Sequence, residues 1–171
     1  MGKLLAWMLI LTASMTAQSP YEGLWQGYDP EWGHVSRQLV RLAEAIPEEK
    51  YGWRPSAGVR SVSEVVMHTA VANFWLLSVT GQAAPPDLKA EMEKGVTSKA
   101  EVIAWLKRSL DAVKAAHPKV SDKEMKRKVK VGKQEATVDG IYLRIIVHAN
   151  EHMGQLIAYA RMIGVVPPWS A

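Results

Sequence analysis

The sequence predicts an all-α domain, a four-helix bundle. Three observations carry that expectation. Four stretches place apolar residues at steps of three and four, each opens near a side chain able to cap a helix, and each closes on a proline or glycine. Four such stripes must bury against one another, and a chain of 171 residues has room for one domain of this kind.

The first helix is expected to start at Asp29-Pro30, with the aspartate as cap and proline at the first helical position. It carries Trp32, Val35, Leu39, Leu42 and Ile46 before Pro47. The second starts at Ser61, and Glu64 completes the S-x-x-E pattern of a capping box. Its apolar row is Val65, Ala72, Leu76 and Val79, with His68 inside the row, and Gly81 ends it. The third opens on a second such pattern, Ser98 and Glu101, and carries Val102, Leu106, Leu110 and Val113 to Pro118. The fourth runs from Thr137 or Asp139 to Ile163, with Gly164 as its stop.

The links are long. "PEEKYGWRPSAGVR" joins the first two helices, and Gly81 to Thr97 joins the second to the third. Between the third and fourth, Val129 and Val131 alternate with charges around Gly132-Lys133, the pattern of either a small β-hairpin or an irregular basic loop. Links of this length leave the helix order open between up-down-up-down and a crossover arrangement.

The N-terminus reads differently. "MGKLLAWMLILTASMTAQ" has a lysine, a short apolar run and then small residues, the layout of a signal peptide rather than a permanent membrane span. The expected organisation is a signal peptide over residues 1–17, a linker over 18–27 and the bundle over 28–171. Export would place the protein in an extracytoplasmic compartment, periplasmic or secreted. Without a signal the chain would be cytoplasmic.

Composition narrows the class. With 48% hydrophobic and 22% charged residues, the chain is that of a folded globular protein. It has no cysteine, so no disulfide holds it and no thiol side chain serves as nucleophile or ligand. Much of the net charge of +4 comes from Lys123 to Lys133, which lacks interleaved aromatics and reads as a solvated loop. A nucleic-acid partner is not expected. A homodimer is compatible with the pattern but not specified by it.

The chemistry points to histidine. His148 and His152 lie four apart in "VHANEHMGQ", on one helical face. The inward row there is Ile141, Ile145, His148, His152, Gln155 and Tyr159. His68 interrupts the apolar row of the second helix in the same way, so three imidazoles point from two helices to one interior. Burying several polar rings without partners is costly, and a shared divalent cation removes that cost. A metal-free bundle with its rings satisfied by buried water is the plainer alternative.

The segment from His68 to "HANEHMGQ" resembles the DinB/YfiT-like superfamily of four-helix bundles. Supporting matches are "WRP" at Trp53 to Pro55, "SVSEVVMH" leading into His68 and the ending "YARMIGVVPP". The resemblance covers about Tyr28 to Pro168. It implies a divalent metal on His68, His148 and His152, and a metal-dependent hydrolase or thiol-dependent transferase acting on a small molecule. The competing class is a non-enzymatic bundle with a structural metal or a partner-binding surface. Nitrogen ligation favours zinc or nickel, with iron, copper and manganese compatible.

No catalytic base is assignable from the sequence. Glu151 is turned about 100° from His152. Glu64 shares a face with His68 and is either its hydrogen-bond acceptor or the capping-box carboxylate, the second being preferred. H-x-x-E-H is also the inverted zinc-protease motif with Glu151 as base, a reading set aside because His68 supplies the third ligand. Gln155 and Tyr159 are candidates to line a pocket. His34, beside Gln38 and Arg41, is expected to be exposed, and His117 to end the third helix. Trp25, Trp32, Trp53, Trp75 and Trp105 are expected to pack helices, Trp53 and Trp75 near the mouth of the site.

Overall fold

The computed structural model describes residues 27–170. The expected signal peptide, the expected linker up to residue 26 and Trp25 lie outside the described residues. The four expected helices are α1 (Tyr28–Ala45), α2 (Val62–Val79), α4 (Lys99–Ala116) and α6 (Val138–Met162). Two four-residue helices fall in the links, α3 (Met92–Gly95) and α5 (Asp122–Met125). The basic segment is a hairpin: β1 (Lys128–Val131) pairs antiparallel with β2 (Gln134–Thr137) around Gly132-Lys133, and Gly132 takes a φ of 60°.

Local chemistry sets the boundaries. Ser61 accepts from the Glu64 amide, and the Glu64 carboxylate accepts from the Ser61 amide, so the capping box of α2 is complete. At α4 only half the expected box forms, with Ser98 accepting from the Glu101 amide. Asp29 is not the cap of α1, as expected from sequence. The helix begins two residues earlier, at Tyr28 behind Gly27, Pro30 sits in the first turn, where its missing N–H costs nothing, and Asp29 turns to His117.

The long helices pack in a square. α2 lies against α4 and α6, and α1 lies against the same two, so α1 and α2 face each other across the diagonal. Side chains give the directions. Trp32 near the start of α1 donates Nε1–H to the Leu110 carbonyl, and Lys99 at the start of α4 donates to the Glu44 and Ile46 carbonyls. α1 and α4 are therefore antiparallel. Tyr159 on α6 donates to the Arg60 carbonyl just before α2, so α6 and α2 are antiparallel as well. Tyr28 and Tyr142 meet edge to face at 5.4 Å, which aligns the starts of α1 and α6. The order is up-down-down-up, a crossover bundle.

That order makes residues 81–98 travel back along the bundle to start α4 beside the end of α1. The link is pinned by a two-bond ion pair from Arg108 to Asp87, by buried Val96, and by Glu93 at the site described below. α2 thus has neighbours on most sides. Its buried residues run from Val62 to Leu77 almost without interruption, and Ala72 and Val79 of the expected row are only half-buried. It is apolar and long enough to cross a membrane by composition, yet 61% of that window is buried inside the bundle.

The core is continuous, with Trp32, Leu42, Ile46, Tyr51, Met67, Leu106, Tyr142, Ile145 and Leu156 essentially sealed. Leu106→Ala should lower unfolding free energy by about 3 kcal/mol, because the cavity term adds to lost burial. Leu143→Ala, on a side chain 63% exposed, should change it by less than about 0.5 kcal/mol. Urea denaturation of the two variants measures the contrast.

Candidate metal centre

Antiparallel packing of α2 on α6 brings His68 against the i, i+4 pair His148 and His152. The Nε2 atoms of His68 and His148 are 3.2 Å apart, and those of His152 and His148 are 3.1 Å apart. The His68 and His152 rings meet nearly edge to face, their centroids 4.6 Å apart. Nitrogens held at about 2.0–2.1 Å by a tetrahedral ion stand roughly 3.3 Å from one another. One donor atom from each ring, all within 4.8 Å of one another, makes a group able to hold a metal. The residues fit a divalent cation.

The outer edges of the rings explain why the Nε2 atoms face inward. His68 Nδ1 lies 2.8 Å from Glu93 Oε2, so that nitrogen carries the proton and donates it. His152 Nδ1 lies 3.0 Å from Gln155 Oε1. Gln155 is oriented in turn by donating Nε2–H to the Tyr159 hydroxyl, which donates to the Arg60 carbonyl. Arg60 closes the circuit by donating its Nε–H to Glu93 Oε1 at 2.6 Å. A chain of hydrogen bonds therefore runs from one ring to the other around the outside of the cluster. Both rings are left with their Nε2 lone pairs toward the shared point. His148 Nδ1, by contrast, is buried with no protein partner among the described residues.

Burial favours the neutral form of two of the rings, His148 and His152. Burial, reinforced by the neighbouring imidazoles His152 and His68, pushes His148 down to about 4. Burial also lowers His152, against a smaller opposing effect from its bond to Gln155. Burial raises the Glu93 carboxyl, but the hydrogen bonds from Arg60 and His68 outweigh it, and the group sits below its ordinary value. A neutral ring is the form that ligates a cation.

The site lies at the edge of the bundle. His148 is 8% exposed and the His68 side chain 23%, and His152 is half-buried. Beside it is a cavity of about 510 Å³ lined by Arg54, Arg60, Lys94, Glu64, Glu93 and Gln155.

The other candidates fall elsewhere. Glu64 is the capping-box carboxylate and pairs with Arg54, so it does not orient His68. That role belongs to Glu93, which the sequence reading did not single out. Glu151 is exposed and held by both terminal nitrogens of Arg144. Tyr159 and Gln155 belong to the circuit, and Trp53 packs edge to face on Tyr159 at 5.4 Å. Trp75, expected to pack helices, is 51% exposed instead, on the open face of α2 with Ser78. His34 is half-buried rather than exposed. His117 ends α4, bonded to Asp29 and stacked on Tyr28, at the opposite end of the bundle.

Known proteins share this architecture. The family model of the DinB superfamily matches residues 31–156. A DinB-like protein from Bacillus cereus superposes with a TM-score of 0.74, covering 84% of this chain and 95% of its own at 20% identity. A DinB-like protein from Bacillus subtilis gives 0.64, with 80% and 91% covered at 17% identity. YfiT from Bacillus subtilis, described as a probable metal-dependent hydrolase with an unusual four-helix bundle topology, gives 0.62, with 86% and 94% covered at 17% identity. At such identities the likeness is one of fold. No curated protein matches the chain at a significant level.

Removing the acceptor of His68 should weaken zinc binding: Glu93→Ala is expected to lose about tenfold to a hundredfold in affinity, read by chelator competition with helical content unchanged. Acid should destabilise the metal-free protein. His148 takes up a proton near 6.5 when unfolded but only near about 4 when folded, so between those values the unfolded chain binds more protons. Its contribution is complete above the upper value and is lost as pH falls toward the lower one. Thermal melts across that range should show a falling Tm, and a shallower slope in His148→Gln.

Proposed function

The chain belongs to the DinB superfamily, and on that footing we propose that it is a metal-dependent enzyme, a hydrolase of a small molecule, with its divalent ion on His68, His148 and His152. The observation that carries this reading is the convergence of three Nε2 atoms at separations of 3.1 and 3.2 Å, two of them aimed by partners at Nδ1. The description of YfiT supports the hydrolytic reading by analogy of fold. A divalent ion held by these rings would supply Lewis acidity, activating a water or polarising a substrate oxygen.

The chain's own residues have definite tasks. Glu93 and Gln155 accept from Nδ1 of His68 and His152 and so fix the tautomer and orientation of both rings. Tyr159 and Arg60 hold Gln155 and Glu93 in place. The half-open faces of His68 and His152 and the adjoining cavity give substrate an approach, which a purely structural metal site would not need.

Thiol transfer is the second reading, and one observation favours it. The carboxylates around the site are already engaged: Glu64 by Ser61 and Arg54, Glu93 by His68 and Arg60, Glu151 by Arg144. A thiol, with a pKa near about 8.5, needs no dedicated protein base to become a nucleophile. Zinc or nickel is the preferred ion, and iron, copper and manganese suit the same donors. The signal-like layout of residues 1–17 extends the proposal to an extracytoplasmic location.

Plasma mass spectrometry on untagged protein, beside a His148→Ala/His152→Ala double variant, tests the site. About one equivalent of metal is expected in the parent and almost none in the variant. No metal in the parent, even after reconstitution and dialysis, would contradict the proposal. Turnover of ester and amide panels, against thiol-acceptor panels, then separates the two readings.

A further inference from the structure

The cavity beside the histidines has a chemical character that neither hydrolysis nor thiol transfer requires. Three cationic side chains line it, Arg54, Arg60 and Lys94, against two carboxylates, Glu64 and Glu93. Both carboxylates are already neutralised from within. Glu64 accepts from the Ser61 amide and from Arg54 Nη2, and Glu93 accepts from Arg60 Nε and pairs with His68. Arg54 is further fixed by donating Nη1–H to the Val59 carbonyl. Arg60 commits its Nε to Glu93, and its two terminal nitrogens make no hydrogen bond to protein among the described residues. Lys94 adds a charge in excess of the carboxylates.

From this arrangement we infer that the substrate carries a carboxylate, which docks on Arg60 and Lys94 while its reacting end reaches the three histidines. The inference deepens the metal-dependent reading and rests on it. Proximity supports it: Glu93 touches both Arg60 and His68, so the cavity and the cluster are separated by one side chain. Size supports it too, since about 510 Å³ is within the usual range of small-molecule sites. A planar guanidinium with a free edge matches the two oxygens of a carboxylate, and a carboxylate arriving there meets no unpaired negative charge. Arg60 is a substrate-binding residue in this account, and Arg54 positions the wall.

The test loads untagged protein with cobalt and follows its visible spectrum. Cobalt bands establish the ion on the histidines before any probe is added. The probes are 3-mercaptopropionate and 6-mercaptohexanoate against their neutral counterparts, 3-mercaptopropanol and 6-mercaptohexanol. Each thiol anchors at the ion and is read by its sulfur-to-cobalt absorption. At least one acid should bind about tenfold or more tightly than its alcohol, the effect of a charge-assisted contact. Arg60→Gln and, separately, Lys94→Gln should each reduce that preference, read as the ratio of acid to alcohol affinity within the same cobalt-loaded variant. The Lys94 side chain makes no hydrogen bond or ion pair with the ring-holding circuit among the described residues, so its variant reads the docking effect even if Arg60→Gln loads cobalt poorly.

Equal affinities of acid and alcohol in the parent, or an undiminished preference in both variants, would overturn the carboxylate site while leaving the metal centre intact. Absence of cobalt bands in the parent would overturn the metal reading and this inference with it.

Discussion

The register of α2 against α6 is the constraint on which everything else rests. Arg60 meets Tyr159 at one end of the pair, and His68 meets His148 and His152 two to three turns further in. At the other end Arg127, just before the hairpin, donates to the Thr80 carbonyl and fixes where α6 can begin. A slip of one helical turn, about 5.4 Å, would carry His68 past its partners and leave one buried and two half-buried imidazoles without one another. The apolar interface alone would tolerate such a slip poorly. The polar ends forbid it, because each would strand a donor or a carbonyl.

The crossover follows from the same arrangement. With α1 and α4 antiparallel, and α2 and α6 antiparallel, the chain must return along the bundle between α2 and α4. An ordinary up-down-up-down bundle would replace residues 81–98 with a tight turn and would have no backbone passing His68. Here the returning link delivers Glu93 to the ring and Lys94 to the cavity. The cost is a long segment with little regular structure, held by an exposed ion pair to Arg108, by buried Val96, by the half-buried Leu88 and Met92 against the core and by the bonds of Glu93. Exposed pairs contribute little on their own. The buried end of the link, at the site, is where most of its anchoring lies.

The sequence made the helices and the three histidines legible because both are local patterns. A stripe at 3.6 residues per turn declares a helix, and a polar ring inside that stripe declares itself as an exception. Glu93 declares nothing. It sits 25 residues from His68 on a four-residue helix too short to show a period, and only the return of the chain brings it near. Arg60 was hidden in the same way, in a link read as a connector. Glu64 misled in the opposite direction, since its position fits two roles and the capping box claimed it. On α2 the period itself failed. A helix apolar on nearly every side has no single inward row, so Trp75 could be placed on a packed face although it is open to solvent. For Asp29 the distant partner His117 outweighed the local preference for capping.

The up-down-down-up order also bears on how the protein comes into being. During synthesis α1, α2 and α4 emerge first, and α2 can then rest on α4 but has no α6 to cover its other side. The most apolar helix of the fold waits, partly open, until the last long segment docks on it. His68 exists as a single exposed imidazole for that interval, with too few donors to capture an ion. A divalent ion taken up by these rings would therefore bind after assembly of the bundle, selecting a finished cage instead of templating it, and the final helix closes the core and brings the three rings together in one event.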